Sequence, residues 1–404
     1  MKVSSIKTII FYYFILSFSI ILYDFCNDKL QSYFMLSILY VAPFLYLLNL
    51  YKFIKIQYSF YLITFAAFIL FDALINIETF RFSTIAYSYM FIFSYLYYAG
   101  IVDSMKINRS KVIKFLSLII KAFAIVLIIQ QVSTVAHITV FNHGWLSDSE
   151  YKWNSLSNEP SYIAQTLTII IYTIIKLREQ VKGYKLSLME QIRADKVLWF
   201  CYLYTSFTCF SVSCIIAPVL LLFYYFSWKK VVQWLVLSMV LMYIITLFVS
   251  PKIIERITDL FAVIWTFDPD LIYIEDPSSS ARIIPFIYYI RELDLSNFHL
   301  WFGYGCDYAD NHWIDLVFSG HSETNQGIGG IINNLYDYGV LPFIFYFKYL
   351  TKLIHVKSYE MFLYITLFFI FDINMYITWL FFMMIYLINR CSRQKTPMSM
   401  ACTK

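Results

Sequence analysis

Three ionisable residues stand where this apolar chain turns polar, and each is of a type that moves protons or holds anions. Glu159 lies in SNEPSYIAQ (157–165), directly before Pro160 and an apolar run. Glu is not among the preferred helix caps, which are Ser, Thr, Asp and Asn. Pro160 suits the first helical position, where a missing N–H is harmless. The carboxylate therefore reads either as a substitute cap or as a group held at a helix mouth to act there. Arg282 ends DPSSSAR (276–282), whose serines read as the cap of a helix running to Leu293. In a first turn, free backbone N–H groups and the helix dipole favour an anion. A guanidinium adds bidentate recognition of phosphate. The plain alternative is an ion pair with Asp276 or Glu275. His321, in GHSETNQGIGG (320–330), is an acid or base for neutral pH, or else a polar loop residue capping a helix. Asn325 follows in the same stretch, and Asn333, Asn334 and Asp337 carry polar function into an apolar segment. Polar side chains in a span face a cavity or a partner, with functional use the default.

Aromatic residues accompany these groups. Trp145, Tyr151 and Trp153 precede Glu159. A ring face beside a carboxylate suits a pyranose, which has an apolar face and polar hydroxyls; the same residues suit an interfacial belt. LWFGYGCDY (300–308) sets Tyr304 between Gly303 and Gly305. Two glycines so spaced mark a tight turn, and no strand–helix unit surrounds them to make a nucleotide site. The seven cysteines show no metal-ligand spacing, so no metal or cofactor is expected.

The elements that must position these groups are membrane helices. The chain is 60% hydrophobic and 14% charged over 404 residues, whereas a soluble domain is about a quarter charged. Apolar runs of span length fall at 8–23, 33–51, 58–75, 82–102, 115–135, 161–175, 197–211, 213–227, 231–249, 328–347, 361–372 and 374–389. Two stretches too long for one helix, 197–227 and 361–389, divide at Ser211–Ser213 and at Asp372–Asn374. The first run follows a short basic start with no signal-peptide cleavage site and reads as helix one. With both termini cytoplasmic, 24 of the 31 Lys and Arg lie inside, as the positive-inside rule asks. The expected fold is an all-α polytopic membrane protein of about twelve spans, one membrane domain over 1–404. Two outer segments exceed connector length: 136–160, and a long helical loop at 250–327 between spans nine and ten. The long loop carries twelve acidic residues against four basic ones, so its arginines are local features and not part of a basic field. Glu159, Arg282 and His321 all fall on this outer side, and nothing points to a nucleic-acid partner.

In this order the motifs resemble those of bacterial O-antigen and capsular polysaccharide polymerases, in the O-antigen ligase-like superfamily. SNEPSYIAQ, with Glu159-Pro160-Ser161 opening a mid-chain span, is similar to their EPS stretch. SSSARIIPFIYYI (278–290) is similar to their outer-loop arginine before an aromatic-rich helix. FGYG (302–305), HSETN (321–325) and LYDYGVLPFIFYF (335–347) resemble the segments that follow, and HSETN also resembles the His-Ser/Asn element of O-antigen ligases. The likeness covers mainly residues 150–350. TSFTCFSVS (205–213) departs from it, with serines and threonines where relatives often carry a Ser-Arg pair.

The resemblance implies a GT-C-like fold in the bacterial inner membrane and a metal-independent glycosyltransferase. The implied donor is a growing glycan on undecaprenyl diphosphate, and the acceptor is a single repeat unit on the same lipid. An acceptor hydroxyl attacks the donor anomeric carbon and lipid diphosphate leaves. Arg282 is then the group at the diphosphate, with Arg291 second. The base stays open between Glu159 and His321; in a ligase-like case it is His321, and Glu159 orients sugar or headgroup. Trp153, Tyr304 and Asn325 complete the candidate substrate contacts, and a chain-length regulator protein is an implied partner. An O-antigen ligase-like glycan transferase and a lipid-linked oligosaccharide flippase are the competing functions. A flippase more often shows two similar halves and short loops, and no internal repeat is present here.

Overall fold

A computed structural model describes residues 3–22, 59–79, 82–142, 153–209, 211–225, 258–259, 262–275, 277–306, 308–309, 330–369 and 371–394. Among them every regular element is helical, in agreement with the all-α expectation. In chain order the helices are α1 (Val3–Ser19), α2 (Ser59–Ile75), α3 (Phe82–Ser104), α4 (Arg109–Val135), α5 (Pro160–Lys182), α6 (Leu188–Ala194), α7 (Lys196–Thr208) and α8 (Val212–Leu222). They continue with α9 (Pro269–Glu275), α10 (Pro277–Arg291), α11 (Phe298–Phe302), α12 (Ile331–Tyr338), α13 (Val340–Leu353), α14 (Tyr359–Leu363) and α15 (Tyr376–Arg393). The spans expected at 33–51 and 231–249 lie outside the described residues.

Among the described residues three helical stretches are long and apolar enough to cross a membrane: Ile85–Ser104, Arg109–Val135 and Pro160–Lys182. On α4 the side chains of Leu118, Ile125, Val132 and Val135 are exposed. Their spacing puts them along one side of the helix. Left in water, such a stripe costs about 25 cal/mol per Å²; a hydrocarbon surrounding suits it.

The chain forms two compact units. The first takes in Met1–Ile56, Ser94–Lys230 and Trp379–Lys404. In it α4 packs on α5 and α7, and α5 on α8. Nearly all of α5 from Tyr162 to Ile175 is buried. Thr168 Oγ1 and Tyr202 Oη, 3.3 Å apart, are a polar contact between α5 and α7. At the end of α7, Asp195 ties three helices. Its carboxylate accepts from Lys121 Nζ at 3.2 Å and Ser117 Oγ at 3.1 Å, and caps α7 through the Leu198 amide at 2.9 Å. Arg178 stands 3.9 Å away. Burial pushes this carboxyl up, but the Leu198 amide, Lys121 and Ser117 together hold it below the ordinary aspartate value.

The second unit takes in Gln57–Phe93 and Val231–Thr378. Its α2 lies against α13 through rings, with Phe65 edge-on to Phe343 at 5.2 Å and Phe68 stacked on Phe345 at 5.5 Å. Pairs of this kind contribute about 0.5–1.5 kcal/mol each beyond their burial.

Both long apolar stretches divide, the second where expected and the first between Thr208 and Val212, slightly before the expected Ser211–Ser213. Thr208 ends α7 and Ser211 stands at the N-cap of α8, and the chain is non-helical across Asp372–Asn374 before α15. Two expectations are corrected. The span expected at 328–347 is two helices, α12 and α13, broken at Gly339. Gly339 has φ +80°, and a Cβ there would lie 2.5 Å from the backbone of Trp301 and Gly303. The reciprocal position is as tight: a Cβ on Gly303 (φ +85°) would meet the Asp337 carbonyl at 2.1 Å. FGYG and LYDYG are thus two halves of one backbone-to-backbone contact. The second correction concerns Arg282. Because Pro277 opens α10, the serines occupy its first turn, and Arg282 falls in the second, beyond the free N–H groups that were to assist it.

Two outcomes follow for the purified protein. Gly183→Ala, at φ +81° with nothing within 4 Å, should lower stability by about 1–2 kcal/mol from backbone strain alone. Gly303→Ala and Gly339→Ala should cost clearly more, read as melting temperature. Asp195 has a folded pKa below its unfolded one, so its stabilisation is present above the unfolded value and is lost as pH falls through the folded value. Lowering pH from about 5 to about 3 should therefore depress the melting temperature less steeply in Asp195→Asn than in the unaltered protein.

Candidate functional site

Glu159 occupies the N-cap position of α5 in extended conformation (φ −136°, ψ 145°) and makes no side-chain cap bond. The substitute-cap alternative is thereby removed, and Pro160 takes the first helical position as expected. The carboxylate instead accepts from Ser161 Oγ at 3.0 Å and is half-buried at the helix mouth.

What holds this mouth is a buried amide clamp. Gln130 of α4 is fully buried. Its Nε2 donates to the Phe141 carbonyl at 2.8 Å and the Asn142 carbonyl at 3.3 Å, and its Oε1 accepts from the Ser155 amide at 2.8 Å. Asn142 Nδ2 donates to the Ser155 carbonyl at 2.6 Å and the Ser157 carbonyl at 3.0 Å. The Ser155 hydroxyl donates to the Phe123 carbonyl at 2.6 Å. Asn142 and Ser155 both have positive φ, 53° and 49°. A non-glycine residue keeps such a conformation when its surroundings over-determine it, and these bonds do so. Trp153 belongs to the same packing: it is 8% exposed and its indole N–H donates to Thr134 Oγ1 at 3.0 Å. Its expected role as an open sugar platform is replaced by a structural one.

In the second unit a narrow crevice is lined by Tyr289, Glu292, Asn297, His299, Leu300, Tyr304, Leu335 and Tyr336, with room for about one water-sized group. Its wall is a stack of rings. Tyr304 lies 4.6 Å from His299 and 4.6 Å from Tyr336, each at 17°, and 4.9 Å from Tyr308 at 15°. Asn297 Nδ2 donates to Tyr304 Oη at 2.5 Å, and the Tyr336 hydroxyl donates to Glu292. The turn after α11 is fixed on α12: the Tyr304 amide donates to the Tyr336 carbonyl at 3.2 Å and the Gly305 amide to the Asp337 carbonyl at 2.9 Å. Burial pushes the Tyr289 hydroxyl up, and burial with Tyr304 and Glu292 does the same for Tyr308. Both phenols are neutral hydrogen-bonding groups near neutral pH.

Of the expected site residues, Tyr304 is at the centre of this crevice. Arg291, one residue before Glu292, donates from Nη2 to the Phe267 carbonyl at 2.9 Å and is exposed. Arg282 lies on the same α10, its Cα seven positions before that of Tyr289 and on the same helix face. His321 and Asn325 lie outside the described residues. Asn334 and Asp337, expected as functional polar groups, serve the backbone: Asn334 Oδ1 accepts from the Ile373 amide at 2.8 Å, and Asp337 Oδ1 from the Ala309 amide at 2.7 Å. Sequence reasoning passed over Gln130, Asn142, Asn297 and His299. The signal for Gln130 was a lone amide in an apolar run; nothing in sequence marks its partners. Among the described residues no group of acidic, histidine and cysteine side chains could hold a metal ion.

No protein-family model, no curated protein and no solved structure matches this chain.

Gln130→Leu keeps the side-chain size and orphans the Ser155 amide together with the carbonyls it served. Each buried orphan costs about 1–3 kcal/mol. The expected result is a lower melting temperature and faster hydrogen exchange across 153–158, while exchange in α7 is unaltered.

Proposed function

We propose that this protein is a multi-spanning glycosyltransferase that polymerises lipid-linked polysaccharide repeat units at the outer face of the bacterial inner membrane. Its full architecture on this reading has about twelve spans, a GT-C-like arrangement and both termini cytoplasmic. The observation that carries the reading is Glu159. It is a carboxylate at the mouth of a 23-residue helix of membrane length, not used as a cap, in the EPS sequence that the polymerases share. The aromatic crevice with its carboxylate, amide and imidazole, on the chain segment that follows Arg282, adds the side-chain types that hold a sugar.

The growing glycan leaves undecaprenyl diphosphate as a hydroxyl of the next lipid-linked unit attacks its anomeric carbon. Negative charge develops on the diphosphate, where a fixed cation lowers the barrier most. Arg282 takes that role, with Arg291 nearby in sequence. The acceptor proton needs a base, for which the family pattern offers Glu159 and His321. Tyr304 and Asn325 contact the sugar, and a chain-length regulator is the natural partner. No second reading is favoured by a specific observation.

A strain lacking the gene should cap its surface glycan with one repeat unit. Polymer accumulating on the carrier lipid would instead indicate a ligase, and unaltered long chains would remove the proposal. Arg282→Ala, at normal membrane level, should reduce chain extension by about a hundredfold or more, measured as the length distribution of the surface glycan. Long chains retained in that variant would take Arg282 out of the site.

A further inference from the structure

His299 lines the crevice of the second unit, and none of the motifs that support the polymerase reading includes it. Its Nδ1 lies 2.8 Å from the Gly303 carbonyl oxygen. A carbonyl can only accept, so in the neutral ring Nδ1 carries the hydrogen and Nε2 carries the lone pair. The ring is held as well as its tautomer. It stacks on Tyr304 at 4.6 Å and meets Phe298 edge-on at 5.8 Å. The Gly303 amide in turn donates to the His299 carbonyl at 2.7 Å, so both backbone groups of Gly303 bond to His299. Gly303 cannot drift, because its Cα is pressed against the backbone of Asp337 and Tyr338.

The other polar groups of the crevice are engaged with one another. Asn297 gives its amide to Tyr304 and receives the His299 amide at 3.0 Å, and Tyr336 donates to Glu292. The space between them admits a hydroxyl but not a sugar ring. A fixed imidazole at a hydroxyl-sized niche has the chemistry of a proton acceptor for an alcohol.

We infer that His299 is the base that activates the acceptor: Nε2 receives the proton of a sugar hydroxyl of the incoming repeat unit seated in this crevice. The inference rests on the glycosyl-transfer reading above. As the O–H bond breaks, its proton passes to Nε2 and the oxygen's electron pair forms the bond to the donor anomeric carbon. The bond from that carbon to the lipid diphosphate breaks, its electrons going to the diphosphate oxygen, and the imidazolium returns its proton to water.

The test uses the full-length protein in nanodiscs, with lipid-linked repeat unit purified from the producing cells as donor and acceptor. His299→Asn keeps a nitrogen donor for the Gly303 carbonyl and removes the base. It should lower kcat for chain extension by about a hundredfold or more with melting temperature unaltered. In His299→Ala, added imidazole should restore about tenfold of the lost rate, which a structural role would not show. Extension by His299→Asn within about threefold of the unaltered protein would overturn the inference, since a general base contributes far more. Loss of activity in both variants with lowered melting temperature and no rescue would overturn it too. If the unaltered protein extended nothing, the polymerase reading itself would fall, and the base role with it.

Discussion

A helix that breaks in apolar surroundings exposes N–H and C=O groups that those surroundings cannot satisfy, and the chain must satisfy them itself. Much of the polar chemistry in this protein answers that constraint. Where α12 begins, the Gly330 amide donates to Asp372 Oδ1 at 2.9 Å and the Ile331 amide to the Phe369 carbonyl at 3.3 Å. The break before α12 and the break before α15 thus complete each other, and the Ile373 amide returns the exchange to Asn334. In the first unit the irregular segment before α5 is served in the same way by Gln130 and Asn142. Even the end of α15 follows the rule: the Arg109 guanidinium donates to the Cys391 and Gln394 carbonyls.

This changes how polar residues in the apolar segments are read. An ionisable or amide side chain within a span is by default a functional candidate. Asn334, Asp337 and Asp372 each bond a backbone amide, which gives them structural work. Glu159 and His299 are the groups left to chemistry. Glu159 has the position of a cap without a cap's bond, and His299 has one nitrogen engaged by a carbonyl while its ring lines the crevice. In each case the neighbouring backbone, clamped by buried contacts, is what makes the side chain stiff.

Glycine shows the same economy. The chain has only ten, and among the described residues Gly303, Gly305, Gly330 and Gly339 all adopt positive φ within the second unit. Two of them allow the turn after α11 to touch the chain between α12 and α13 with no side chain between. The stacked rings of Tyr304 and Tyr336 follow from that approach, since adjacent backbones carry their side chains alongside.

The helical class, the division of 197–227 and of 361–389, and the Pro160 start of α5 were legible in sequence, because they depend on local composition and on proline's missing N–H. The same holds for the candidacy of Glu159, a residue type foreign to its position. Legibility failed where distant segments meet. The break at Gly339 needs Trp301 and Gly303, some thirty-six residues earlier, to give it cause; Trp153 is buried because Thr134 and its surroundings receive it. His299 looked like any loop histidine until the Gly303 carbonyl and the Tyr304 ring set its tautomer and plane. Sequence alone determines which segments leave water and which residue types could react, since both follow from side-chain chemistry and period. Which reactive atom is left facing open space is decided only by tertiary structure, because it depends on which partners the folded backbone brings within hydrogen-bonding reach.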